Sequence, residues 1–378
     1  MLPTKSSLSA LDSREDDEHL AGRPSVVTRF SEETPLRRRS REFLLRSIHP
    51  SAQGIDSTDA GQIDLGYVFE RARAHKVGPL CANRLLTLQT LPPTVRVSAE
   101  AELEVGRLRS RKSAFTCSAV SRVLERAGVR FAVLKGPAVA TYYPRPELRP
   151  YSDLDVLVEP RSLRRASEAL ESLGYQSAAK PPATHSFDFL PQSHALTSVD
   201  LHIRLRSARE VGVETSELLE GFVVEGSLGG LRVPVLTPAA NLLHVLLHAV
   251  SVGPFGFYLL HLADAAWIID RDPRIDPTEV ESIAVQWGVE RLFGLSHSLL
   301  RRYFGFGLSG ASPRKRSLVF DATSSPRVLI DQELFARRRF SFPQELLLHS
   351  AWDFSFKRPS KRAAELAKRQ LDHFLRAR

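Results

Sequence analysis

The residues best placed to do chemistry begin at Ser152. There Asp153-Leu154-Asp155-Val156-Leu157-Val158 sets two carboxylates one residue apart in an apolar run. Side chains alternate between the faces of a strand. Leu154, Val156 and Val158 then form a buried face, and Asp153 and Asp155 project together from the other. Carboxylates so placed repel each other unless a cation lies between them. A hard, oxygen-seeking cation suits them, Mg2+ first and Mn2+ as its substitute.

A second alternating run, Ser198 to Leu205, repeats the pattern. Val199, Leu201, Ile203 and Leu205 share an apolar face, and Asp200, His202 and Arg204 share the other. If this strand pairs beside the first, Asp200 becomes a third carboxylate. Three carboxylates can hold two divalent cations about 3.5–4 Å apart, the arrangement used in phosphoryl chemistry. His202 on the same face could orient a carboxylate or an acceptor, or be structural. Lys135-Gly136 ends a short β-rich run just before a helical stretch. A backbone lacking Cβ there can approach a phosphate, with helix-end amides and the lysine charge to stabilise it. Arg149, four residues before Asp153, has the fork geometry to clamp a phosphate. Alone, a D-x-D pair is commonly a solvated surface pair and Lys-Gly a turn; in this order they specify much more.

Other candidates carry less. His244 and His248 are four apart on an apolar helix, but the zinc-protease pattern needs Glu directly after the first histidine, and Val245 stands there. They are expected in the core or at an interface. Asp264 on the apolar run His261 to Trp267 is expected to pair with an arginine, with lining of an acceptor cleft as the alternative. Cys81 and Cys117, the chain's 2 cysteines, make neither a disulfide scaffold nor a thiolate zinc site.

Leu134-Lys135-Gly136, Arg149, Asp153 to Val158 and Asp200-Leu201-His202 together resemble the uncharacterised bacterial nucleotidyltransferase family of the polymerase-β-like superfamily. The resemblance spans roughly residues 65–300 and includes Ala74-His75-Lys76-Val77-Gly78-Pro79-Leu80. It implies that Asp153, Asp155 and Asp200 are the catalytic metal carboxylates, with Lys135, Gly136 and Arg149 at the phosphates. It further implies transfer of a nucleoside monophosphate such as AMP from a nucleoside triphosphate, ATP foremost, to a hydroxyl, releasing pyrophosphate. The acceptor stays open among small molecule, peptide, protein and RNA. One departure stands out: Pro137 follows Gly136 where the wider superfamily has Gly-Ser or Gly-Gly. Proline offers no amide, so phosphate binding rests on Lys135, Arg149 or neighbouring amides. A catalytically lapsed homologue that binds nucleotide or protein is the first rival. A basic nucleic-acid-binding protein is the second.

The elements that must position these residues follow from periodicity. Helical spacing runs from Leu65, broken at Gly78-Pro79 and closed by Pro92-Pro93, and a long helix is predicted from Ser98 to Ala127 with Gly128 as its stop. Strands are predicted at 130–134, 153–158 and 198–205, with a helix over 161–173 and a hairpin over 222–235 turning at Gly229-Gly230. Thr237-Pro238 is a helix start, followed by helices at 241–251, 257–269, 277–288 and 290–303. The expected architecture is α/β (α+β): a small mixed-sheet core at 129–236, a helical segment at 61–128 and a helical domain at 237–305. Residues 1–60 are expected to be a poorly ordered polar and basic tail, although Glu42–Ile48 could form a helix. Residues 306–378 are expected to be a loop, Leu308 to Arg327, then a basic helix from Lys357.

With 52 basic and 43 acidic residues the 378-residue chain carries a net +9, which favours anionic partners without naming one. The composition, 43% hydrophobic and 25% charged, excludes a wholly disordered or fibrous chain. The greasiest region, Leu242 to Ile269, is interrupted by His244, His248, His261 and Asp264, so no membrane span is expected. With no apolar stretch after a basic start, a cytoplasmic protein is expected.

Overall fold

The computed structural model describes residues 34–51, 62–178, 185–205, 211–251 and 258–308. The expected loop beyond Leu308, the basic helix from Lys357 and most of the polar tail lie outside the described residues. Where the tail is described it is not a tail. Helix α1 (Pro35–Ile48) buries Phe43, Leu44 and Ile48. The run Arg37, Arg38, Arg39, Arg41 hides the reason: one side of the helix carries these apolar residues, and it packs on α2 (Leu65–Ala74) and α3 (Gly78–Leu85). Asp64 caps α2, its Oδ1 accepting from Tyr67 N at 2.9 Å.

The long helix α4 runs Pro93–Arg126, 34 residues or about 50 Å. It starts at the second of the paired prolines, because proline at the first helical turn lacks only an N–H that had no helical partner. Gly128, at φ 60°, stops it. The sheet follows: β1 (Phe131–Val133), helix α5 (Gly136–Ala140), β2 (Asp153–Val158), helix α6 (Leu163–Glu171), β3 (Tyr175–Ser177), β4 (Ser186–Pro191), β5 (Ser198–His202), helix α7 (Thr215–Gly221) and the hairpin β6 (Val223–Leu228) with β7 (Leu231–Leu236). The seven strands lie in the order β3-β4-β5-β2-β1-β7-β6. The hairpin turns at Gly229-Gly230 as expected, both with positive φ. Helices α8 (Pro238–Ser251), α9 (Leu259–Arg271), α10 (Pro277–Gln286) and α11 (Glu290–Phe304) complete the described chain. This is the mixed-sheet α/β architecture expected, flanked by helices on both sides in sequence.

The sheet places its two acidic strands side by side. Strand β2 pairs antiparallel with β1 and parallel with β5, in a register that sets Asp155 opposite Asp200 and Leu157 opposite His202. Leu154, Val156 and Val158 pack with Phe131, Val133, Val199 and Leu201 against Val120 and Leu124 of α4 and Leu170 of α6. The other face sends Ala132, Leu134 and Leu157 into the larger core shared with α2, α3, α8 and α9. Each fully buried Leu or Val contributes about 1.5–3 kcal/mol. A one-residue slip of β2 would exchange the acidic and apolar sets, so burial itself fixes which way Asp153 and Asp155 point.

Candidate functional site

Four polar side chains meet at the β1–β2–β5 face. Lys135 leaves the end of β1, where Leu134 N still donates to Asp155 O at 3.0 Å. Lys135 Nζ donates to Asp155 Oδ1 at 2.7 Å, and His202 Nε2 lies 2.9 Å from the same oxygen and 3.0 Å from Asp200 Oδ2. His202 therefore bridges the cross-strand carboxylate pair, the orienting role considered for it. Asp155, Asp200 and His202 offer ligand atoms within 4.8 Å of one another. Asp153 is outside that group but lines the same cavity as Asp155 and Asp200.

The electrostatics follow from these contacts. Burial alone would raise Asp155, but Lys135 and the His202 hydrogen bond outweigh it and hold the carboxyl well below its usual range. Burial raises Asp200, but the hydrogen bond and charge of His202, with help from Ser186, leave it lowered. Asp153 goes the other way: burial and the Asp155 charge push it up, with Lys135 compensating only in part. For His202 burial lowers the pKa, yet its hydrogen bonds to Asp155 and Asp200 leave it raised.

Arg149, Asp264 and Tyr143 form a second, deeper system. Arg149 Nε and Nη2 donate to Asp264 Oδ1 and Oδ2 at 3.1 and 2.7 Å, and the Tyr143 hydroxyl donates to Oδ1 at 2.7 Å. Asp264 is thus the arginine-paired carboxylate expected. Burial disfavours the Arg149 charge, but Asp264 holds the guanidinium firmly protonated. Arg149 still lines the cavity, while Asp264 does not.

That cavity, about 510 Å³, falls within the ordinary range for small-molecule sites. The acidic strands form one wall. The opposite wall comes from the N-terminal helices and carries Arg73, Lys76, Glu102 and Arg109, of which only Lys76 had entered the sequence reading, inside the segment Ala74 to Leu80 and without a role. Lys76 had one available signal, its place just before Val77-Gly78-Pro79 at a helix break; Arg109, within a long helix rich in arginine, had none. Gly106 lets α4 reach this position, because a Cβ there would lie 2.7 Å from Glu147 O. His244 is buried, whereas His248 and His261 line the cavity with their rings edge-on at 4.5 Å. Cys81 and Cys117 are free and buried, and burial pushes their thiols up to about 12 and about 11.

The donor set fits a divalent cation. Two carboxylates and an imidazole converge, Asp200 Oδ1 is buried without a hydrogen-bond partner, and the Lys135 ammonium already sits against Asp155 as a cation does. Asp155 and Asp200 would hold the ion, with Asp153 beside them. Gly136 opens α5 directly after β1 and Lys135; a Cβ there would meet Tyr151 at 3.4 Å, an ordinary packing contact, so space alone does not demand glycine.

Among solved structures, the chain is similar to the antibiotic-resistance factor ANT(2'')-Ia in solution, at 13% identity over 50% of this chain and 95% of that one, TM-score 0.35. ANT(2'')-Ia in complex with adenylyl-2''-tobramycin gives 15% identity over 50% and 96%, TM-score 0.33. The lincosamide antibiotic adenylyltransferase LnuA bound to lincomycin gives 16% over 32% and 78%, TM-score 0.24. At such identities and TM-scores nothing about chemistry follows. No curated protein matches the chain. The profile of the family described as uncharacterised nucleotidyltransferase matches residues 61–305, the span that contains both walls of the cavity. The chain belongs to that uncharacterised nucleotidyltransferase family.

Proposed function

We propose that the protein transfers a nucleoside monophosphate, AMP in the simplest case, from a nucleoside triphosphate to a hydroxyl acceptor. Its site of action would be the cytoplasm, where two free cysteines are at home. One observation carries the reading: Asp155 and Asp200 are opposed across parallel strands, on a cavity wall with Asp153 and Lys135. A bound Mg2+ or Mn2+ would polarise the phosphate oxygens and neutralise developing charge. Asp153 and Asp155 hold the nucleotide end of the site, and Asp200 holds the acceptor end. The acceptor oxygen attacks the α-phosphorus, the bond to the bridging oxygen breaks, and pyrophosphate leaves with that electron pair. The Asp200 carboxylate, on the cavity wall, takes the hydroxyl proton. Lys135 keeps Asp155 ionised beforehand and is within reach of the leaving charge once a cation replaces it. His202 holds Asp155 and Asp200 in their relative orientation.

The test is transfer of label from α-labelled but not γ-labelled ATP to an acceptor fraction, with pyrophosphate released in equal amount. Asp155→Asn and Asp200→Asn should each abolish it while the fold persists. The Lys135–Asp155 pair and the missing amide at Pro137 favour a second reading, a homologue that binds nucleotide without transferring it. It predicts cation-dependent nucleotide binding with no label transferred to any acceptor.

A further inference from the structure

Two non-glycine residues among those described have positive φ, Lys76 at 58° and Lys135 at 40°, and both line the same cavity. Lys76 occupies the turn just after α2, where its N–H donates to Arg73 O at 3.0 Å and Val77 N donates to Ala72 O at 2.8 Å. Such helix-ending positions are left-handed and normally glycine or asparagine. A lysine there holds a strained backbone conformation. What it gains is direction: an exposed ammonium over the cavity, 4.6 Å from the centre of the Tyr258 ring.

The charges of the cavity do not balance wall by wall. Lys135 is matched by Asp155, Arg149 by Asp264, and Arg73 by Glu102 at 2.9 Å. Among the described residues, no carboxylate pairs with Lys76 or Arg109, which stand on the helical wall. Across from them, again among the described residues, Asp153 has no cation of its own and Asp200 shares the single His202 imidazole with Asp155, which leaves the strand wall acidic. An elongated anion carrying a divalent cation at one end satisfies both walls, whereas a short anion satisfies one and a neutral ligand neither. Two amides of the turn after β1 are not available to a phosphate. Pro137 has no N–H, and Val139 N is spent on Lys135 O at 2.8 Å.

We propose that Lys76 and Arg109 bind the terminal phosphates of the nucleoside triphosphate, so that the N-terminal helices form half of the nucleotide site. This rests on the nucleotidyltransferase reading above. It assigns to the helical wall the phosphate contacts that Arg149, locked on Asp264, has only a partial capacity to make.

The experiment is equilibrium binding of ATP, ADP and AMP to the full chain in Mg2+ by calorimetry, for wild type, Lys76→Gly, Lys76→Arg and Arg109→Ala. Glycine suits φ 58°, so Lys76→Gly should unfold at or above the wild-type temperature, which separates lost binding from lost folding. Lys76→Gly and Arg109→Ala should each weaken ATP about tenfold and leave AMP within about twofold. Lys76→Arg should recover most of the ATP affinity. An unchanged ATP-to-AMP ratio in both charge-removing variants overturns the assignment alone. Failure of the wild type to bind any nucleotide overturns both the assignment and the reading beneath it.

Discussion

Asp155 and Asp264 are both buried carboxylates held by a cation beside the same cavity, yet they are held in different ways. Asp264 uses both oxygens: Arg149 grips it as a fork, and the Tyr143 hydroxyl completes Oδ1. Asp155 takes Lys135 and His202 on a single oxygen, and its partner across the sheet, Asp200, keeps a buried oxygen with no donor. A planar guanidinium matched to both oxygens fixes geometry. An ammonium on a flexible stem is a point charge that a metal ion can replace. The first system is built to stay and the second to be exchanged.

The largest effect should come from the locked system. Asp264→Ala strands the Arg149 charge in the interior and deprives Tyr143 of its acceptor, and should cost about 3–5 kcal/mol in urea unfolding. Replacing both partners together, Arg149→Met with Asp264→Leu, should recover much of that loss. If Asp264→Ala left stability intact and removed nucleotide binding instead, Asp264 would belong to the site and the contrast would break.

For the exchangeable system the expected loss is smaller and of another kind. Asp155→Asn should change stability by only about 1–2 kcal/mol, because Lys135 keeps Asp153 and Asp200 nearby. It should, however, abolish the cation effect. Wild type in excess Mg2+ or Mn2+ should gain about 1–3 kcal/mol by mass action, and the variant none. An equal thermal shift in both proteins would place the cation elsewhere.

These two systems were unequally legible in the sequence. The strands at Asp153 and Asp200 each carry an unbroken apolar face, so alternation alone revealed which residues point together, and the observed register completes the inference. Strands β3 and β4 left no such trace. They are an edge hairpin whose outward residues alternate poorly, with only Tyr175 buried in β3. Arg149 was legible as a cation near the acidic pair, but its fork onto Asp264, 115 residues away, was not. Helix α1 was legible only in its second half, Glu42–Ile48, its first half being obscured by arginines, and the helical wall by ordinary surface composition. Local pattern reports which face a residue occupies. It does not report which residue meets it from a distant element.

A smaller effect should appear at Asp153, whose burial beside Asp155 disfavours its charge. A carboxyl raised above its unfolded value of about 3.9 costs stability at neutral pH, and the cost disappears as pH falls below that value. Asp153→Asn should therefore raise the melting temperature by about 2 °C near pH 7 and by nothing near pH 3.5. A drop at pH 7 would mean that Asp153 is as well satisfied as Asp264, and the division between locked and exchangeable carboxylates would need redrawing.

The smallest expected effect tests how exchangeable the site is without adding metal. His202 is raised by its hydrogen bonds to Asp155 and Asp200 against the lowering by burial and by Lys135. A histidine raised above its unfolded value of about 6.5 contributes stability that is complete below that pH and is lost as pH rises through the folded value. The metal-free protein should accordingly lose about 1 kcal/mol more between pH 6 and pH 9 than His202→Gln does. Divalent cations should remove the difference, since an ion on Asp155 and Asp200 takes over the role of the imidazolium proton. A pH profile the same in both proteins would show that the two carboxylates are held by Lys135 and the sheet alone, with His202 a neutral spacer between them.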